Sequence, residues 1–151
     1  GVYGTAMAYR YTKREAYISD FKHVTGYFLD HLPEDLVPYW DLEFGDGSGE
    51  PRDSSSASIA ACGMLEMAKY LNGEDAKYYT SIAKKIMKSV VENYAVKSGA
   101  ESNGLVLHST YSKKSPYNTC TPEGVDECNI WGDYFYMEAL TRLSKDWNPY
   151  W

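Results

Sequence analysis

Met7-Ala8-Tyr9-Arg10-Tyr11-Thr12-Lys13-Arg14-Glu15-Ala16 lines up with Met67-Ala68-Lys69-Tyr70-Leu71-Asn72-Gly73-Glu74-Asp75-Ala76, and a shorter third copy runs Ala139-Leu140-Thr141-Arg142-Leu143-Ser144-Lys145-Asp146. Each copy reads as the end of one helix, a short polar turn and the start of another. Thr12, Asn72 and Ser144 stand where a turn or a cap is needed. Self-similarity at this period predicts stacked helical hairpins, and so an all-α chain.

The flanking sequence supports that reading. Ile18, Phe21, Thr25, Phe28 and Leu32 fall on one face at helical spacing, and Pro33 stops the helix. Ile82, Ile86, Val90 and Tyr94 repeat the pattern, with Lys84, Lys85 and Lys88 on the wet side. Asp53-Ser54-Ser55 is a cap cluster opening a helix expected over Ser56 to Leu71. Its Ala57, Ser58, Ala60, Ala61 and Gly63 permit close helix approach. Two long loops separate the hairpins, Pro38 to Arg52 and Lys97 to Glu127, and Gly104 to His108 reads as a short strand. Loops this long in a helical domain usually carry function. Both return to the start of a first helix, so both gather at one mouth. Two and a half hairpins cannot close a ring. The chain is therefore expected to be incomplete on its own, with a face that further hairpins or a second copy in a homo-oligomer would cover.

Composition narrows the function classes. A length of 151 residues allows one domain with a real core, and 44% hydrophobic content excludes disorder. A net charge of −6 with no Lys/Arg block argues against nucleic acid, and no apolar run is long enough to span a membrane. The chain starts at Gly1 without an initiator Met or a signal peptide, which points to a piece of a longer protein or a processed product. Three cysteines give no zinc spacing: Cys62 belongs to an apolar run, while Cys120 and Cys128 flank a Pro/Gly loop and could pair in an oxidising compartment.

The chemistry concentrates in Cys128-Asn129-Ile130-Trp131-Gly132-Asp133-Tyr134-Phe135-Tyr136, a helix start built of rings and one carboxylate. Flat apolar faces stack on sugars, and a carboxylate serves hydroxyls or protons. Trp131 and Asp133 are therefore candidate substrate-binding residues. The alternative is an acid that only complements the helix dipole. Arg52 beside Asp53 is suited to hold a sugar carboxylate through two hydrogen bonds, or else forms an ordinary surface ion pair. Trp40 next to Asp41 offers a second ring-and-acid pair. Ser109, Ser112 and Lys114 form a hydroxyl–hydroxyl–ammonium set suited to a sulfate, which a solvated polar loop explains equally well. His108 reads as structural.

Together, Tyr3-Gly4, Ala8-Tyr9-Arg10-Tyr11-Thr12, Pro38-Tyr39-Trp40-Asp41, Pro51-Arg52-Asp53-Ser54-Ser55, Cys128 to Phe135 and the ending Trp147-Asn148-Pro149-Tyr150-Trp151 resemble the C-terminal part of the unsaturated glucuronyl hydrolases, glycoside hydrolase family 88. The resemblance implies that residues 1–151 form the C-terminal portion of a single (α/α)6 toroid. It implies hydration of the 4,5-double bond that polysaccharide lyases leave on a terminal uronic acid. The resulting hemiketal opens and releases the next sugar. No metal or organic cofactor is expected. Nothing here matches the motifs of the family's two catalytic aspartates, which are expected upstream of Gly1 together with an Arg-Gly-Gln-Ala-Trp-like uronate-binding segment. Asp41, Asp53 and Asp133 are therefore not assigned as the acid. The partners expected are an unsaturated uronic-acid oligosaccharide and the N-terminal portion of the same protein. Ser109, Ser112 and Lys114 match the spacing of a Ser-x-x-Ser-x-Lys loop that contacts sulfate in some members, so chondroitin- or heparin-derived disaccharides are indicated. The alternatives are an unsaturated rhamnogalacturonyl hydrolase and a non-catalytic helical module that binds glycans or proteins. A bacterial periplasm or cytoplasm is the expected location.

Overall fold

A computed structural model describes residues 1–99, 102–113 and 124–149 of the chain. Among these, the helices are α1 (Val2–Thr12), α2 (Ala16–Asp30), α3 (Ser54–Ala68), α4 (Gly73–Ser89), which runs into a π-helical turn at Val90–Tyr94, and α5 (Ile130–Ser144). They form two hairpins and one further first helix, as the repeat predicts. The turn chemistry repeats as well. Lys13 and Gly73 occupy the same place in the two copies, and both have positive φ, 55° and 58°. A left-handed residue there reverses the chain within a few positions. Glycine adopts it without strain, whereas Lys13 is held by its N–H bond to the Tyr9 carbonyl, 2.8 Å.

α1, α3 and α5 form an inner layer, with α3 in the middle, and α2 and α4 pack outside. Twelve of the fifteen residues of α3 are buried, so it is apolar or small nearly all round, as a central helix must be. The small side chains let α1 come close: a Cβ on Gly63 would stand 2.7 Å from the Tyr3 Cα and 2.8 Å from the Val2 carbonyl carbon. The outer helices meet through Phe21 and Tyr79, whose rings lie edge to face at 5.0 Å, and through the Lys22–Asp75 ion pair at 2.5 Å. Phe28, Ala83, Ile86 and Met87 complete the core from outside.

A buried charge cluster ties the C-terminal turns of the inner helices together. Glu66 on α3 accepts from Arg10 of α1 at 2.8 Å, Arg142 of α5 at 2.5 Å and the Tyr70 hydroxyl at 2.8 Å. Arg142 also donates to Glu138 at 2.8 Å. The chain after α5 then crosses this end: Lys69 donates to the Trp147 carbonyl at 3.0 Å, and Arg10 donates to Asn148.

Three local expectations change. Among the described residues the third copy of the repeat ends a helix and is followed by this non-helical strap over 145–149 rather than by the start of another helix. Gly104 to His108 is not a strand. Its pairing is the isolated bridge Ala95–Val106, since the chain beside it leaves the π-helical turn and offers no strand edge. α3 closes at Ala68, where the backbone turns through residues 69 and 70 before Leu71. No helix among the described residues is long and apolar enough to cross a membrane.

Candidate functional site

The opposite end of the inner layer carries both long loops, because the start of a helix leaves N–H groups without partners. At α3, Asp53 caps the Ser55 N–H at 3.2 Å, binds the Ser55 hydroxyl at 2.6 Å and reaches the Thr110 N–H at 3.4 Å. Ser54 donates its N–H to the His108 carbonyl at 3.1 Å and its hydroxyl to the Leu107 carbonyl at 2.7 Å. Thr110 returns a hydroxyl bond to the Arg52 carbonyl at 2.7 Å. At α5, Asn129 caps the Gly132 N–H at 2.7 Å, and an oxygen of Asp133 accepts from the N–H groups of Leu105 at 2.9 Å and Val106 at 3.1 Å. The segment 105–110 is thus sewn onto two helix starts.

The first loop is braced by Arg52. Its guanidinium binds Asp35 at 3.1 Å, the Val37 carbonyl at 2.5 Å and Asp46 at 3.3 Å, and lies 4.0 Å from the centre of the Tyr39 ring. Asp35 also accepts from Tyr94 at 2.5 Å; burial first, and then this carboxylate, pushes that phenol well above its ordinary value. The Trp40 indole donates to Glu50 at 2.7 Å, and Lys113 from the second loop pairs with the same carboxylate. Hydrogen bonds from Lys113 and then Trp40 hold Glu50 below the usual carboxylate range.

The expected site residues therefore divide. Trp131 stands at the mouth, 37% exposed, with its ring centre 5.4 Å from that of Tyr111, which is 66% exposed. Asp133 is at the mouth too, but as the clamp on Leu105 and Val106. Trp40 is half-buried beside Glu50 and Lys113. Two expectations need correction. Arg52 does not present an open fork to a sugar carboxylate, because Asp35, Asp46 and Val37 occupy it. Ser109 is fully buried, its hydroxyl 3.0 Å from that of Ser54, so it anchors the loop. Ser112 is also buried, its N–H 2.9 Å from the Gly124 carbonyl. Lys114 and Cys120, and with Cys120 the question of a Cys120–Cys128 pair, lie outside the described residues. His108 pairs with Asp126. Among the described residues no group of three or more His, Cys, Asp or Glu is placed to hold a metal ion.

Tyr111, Glu50 and Lys113 were not singled out from the sequence. Tyr111 lies inside the Ser109–Lys114 segment, and its neighbours there drew the reading toward hydroxyls and charge. Glu50 and Lys113 meet only when the two loops fold. The mouth offers ring faces and hydrogen-bonding groups, while one oxygen each of Asp53, Asp133 and Glu50 accepts from internal donors.

Fold and mouth define a segment of a stacked-hairpin protein with a ring-lined opening at the helix starts. The chain is 47% identical over 153 aligned residues to the unsaturated chondroitin disaccharide hydrolase of Streptococcus pyogenes serotype M1, covering 100% of this chain and 37% of that protein. It is 33% identical to the unsaturated glucuronyl hydrolase of Bacillus sp. (strain GL1), covering 100% of this chain and 39% of the relative. A solved structure of an unsaturated glucuronyl hydrolase variant from Streptococcus agalactiae, complexed with dGlcA-GalNAc6S, superposes with a TM-score of 0.90 at 45% identity, over 99% of this chain and 39% of that one. No family model matches the chain. The chain belongs to the unsaturated glucuronyl hydrolase family, glycoside hydrolase family 88, and spans 37–39% of the length of these curated relatives. Its all-helical hairpins match the family's (α/α)6 toroid, as expected. These relatives do not favour the rhamnogalacturonyl alternative.

Proposed function

We propose that this chain is the C-terminal wall of the catalytic toroid of an unsaturated glucuronyl hydrolase. The whole enzyme hydrates the 4,5-double bond of unsaturated glucuronyl oligosaccharides derived from glycosaminoglycans such as chondroitin. Addition of water across the vinyl ether gives a hemiketal at C5, whose opening breaks the ring and releases the next sugar, leaving the uronic acid as an open-chain keto acid with no double bond. The aspartates that protonate the alkene and activate water belong to the remaining portion of the protein, and the engaged carboxylates of this mouth agree with that division of labour.

The observation that carries the reading is the exposed Tyr111–Trp131 pair at the inner-helix starts, in a segment similar to an enzyme solved with an unsaturated disaccharide. In this reading the two rings stack on sugar faces, Trp40 lines the wall, and Asp133, Arg52 and Ser109 hold the loops that present them. Lys114 is the proposed cation for a sulfate.

The test uses the ultraviolet absorbance of the vinyl ether in unsaturated chondroitin disaccharide. The longer protein containing this segment is expected to remove that absorbance, and the purified 151-residue chain is expected to leave it unchanged. Turnover by the 151-residue chain alone, or none by the longer protein, overturns the proposal.

A further inference from the structure

The two mouth loops flank α3 in sequence and are joined at their base by the Thr110 hydroxyl bond to the Arg52 carbonyl; among the described residues a charged side-chain junction, Glu50 to Lys113, joins them further out. Glu50 accepts from the Trp40 indole at 2.7 Å and pairs with Lys113. The Lys113 ammonium lies 5.8 Å from the centre of the Trp40 ring. The Glu50 and Lys113 side chains are 23% and 33% exposed, so water only partly screens them. Behind Lys113, Tyr111 and Ser112 both donate their N–H groups to the Gly124 carbonyl, at 2.6 and 2.9 Å. Behind Glu50, the Trp40 N–H binds the Pro51 carbonyl at 3.0 Å. Tyr111 is thus fixed through its backbone on one side and through Lys113 on the other, while its ring stays open.

We propose that the Glu50–Lys113 pair, with Trp40 on the same carboxylate, is a positioning latch that locks the 38–52 loop to the 107–113 loop and holds Tyr111 beside Trp131 for sugar stacking. The proposal rests on the substrate class given above. Neither member of the latch touches the reacting atoms. It acts on affinity by removing the entropy that a free loop would lose when substrate binds. A latch of this kind changes KM, whereas a group acting on the transition state changes kcat.

The test uses the longer enzyme on unsaturated chondroitin disaccharide. Lys113→Met keeps the side-chain bulk and removes the charge, and Lys113→Arg keeps both charge and reach. Lys113→Met is expected to raise KM about five-fold at unchanged kcat, an effect of the size of a well-formed ion pair. Lys113→Arg is expected to restore KM to within about two-fold. Added salt should raise KM in the wild type and leave Lys113→Met unchanged. Hydrogen exchange at the Tyr111 and Ser112 amides is expected to quicken in Lys113→Met, and this readout needs no turnover. Unchanged KM and unchanged exchange overturn the latch. Faster exchange with no wild-type turnover overturns the functional reading and leaves the latch standing. Loss of kcat with KM unchanged assigns Lys113 to the chemistry and overturns the positioning role.

Discussion

Replacing Arg142 with Met should be the most damaging single change at the closed end of this chain. The Arg142 side chain is 1% exposed, Glu66 is 0% and Glu138 is 1%. Burial pushes the Glu66 carboxyl up, but hydrogen bonds from Arg142, Arg10 and Tyr70 outweigh it and hold the group at about 2, below its ordinary 4.5. Methionine keeps much of the volume and removes two charged contacts, at 2.5 Å to Glu66 and 2.8 Å to Glu138. Glu66 retains Arg10 and Tyr70, while Glu138 retains the Tyr3 hydroxyl at 3.3 Å. Breaking a buried pair by removing one partner costs about 3–5 kcal/mol. For a chain of this size that corresponds to a fall in Tm of about 10 °C.

The same change moves the acid limb of stability. A carboxylate whose folded pKa is depressed contributes stability above its unfolded pKa and loses it as pH falls through the folded one. The drop from 4.5 to about 2 at Glu66 corresponds to roughly 3 kcal/mol, lost between about pH 4.5 and 2. In Arg142→Met the Glu66 carboxyl takes up its proton at higher pH, so acid unfolding should begin earlier. Circular dichroism during thermal and urea unfolding from pH 7 to pH 2 measures both effects. A loss under about 1 kcal/mol at pH 7, or an acid limb that coincides with the wild type, would refute the claim that this cluster joins the three inner helices.

Gly63→Ala places a methyl 2.7 Å from the Tyr3 backbone, so α1 must move off α3. The expected cost is about 1–3 kcal/mol, read as a lower urea midpoint; a neutral result would mean the two helices are free to part. Asp133→Ala removes the acceptor shared by the Leu105 and Val106 N–H groups. It should destabilise the chain by about 1–3 kcal/mol and speed hydrogen exchange at those two amides. Unchanged exchange there would show that the loop is held without this clamp.

The hairpin repeat, the cap at Asp53 and the crowding of rings near Trp131 were legible because each rests on short-range chemistry. Helical periodicity, a capping side chain two residues from its N–H, and a left-handed turn at Lys13 or Gly73 all act within a few positions. The short strand was misread for the same reason. Leu105-Val106-Leu107 looks extended from within, but a strand needs a partner edge. Among the described residues the only edge this segment meets is Tyr94 to Val96, through the Leu107 N–H to Tyr94 carbonyl bond at 2.8 Å and the Val96 N–H to Leu105 carbonyl bond at 2.9 Å.

The allocation of charges depended on groups distant in sequence. Arg52 beside Asp53 is a candidate carboxylate fork until Asp35 and Asp46 fold against it. Ser109 is a free hydroxyl until Ser54 closes over it, and Glu50 meets Lys113 only across two loops. By itself, the sequence determined the helices, their pairing and the end of the stack to which both long loops return, since these follow from local periodicity and capping. Only the tertiary structure decided which polar groups at that end were already committed. A hydrogen bond or ion pair is settled by which partner arrives, and here the partners arrive from elsewhere in the chain.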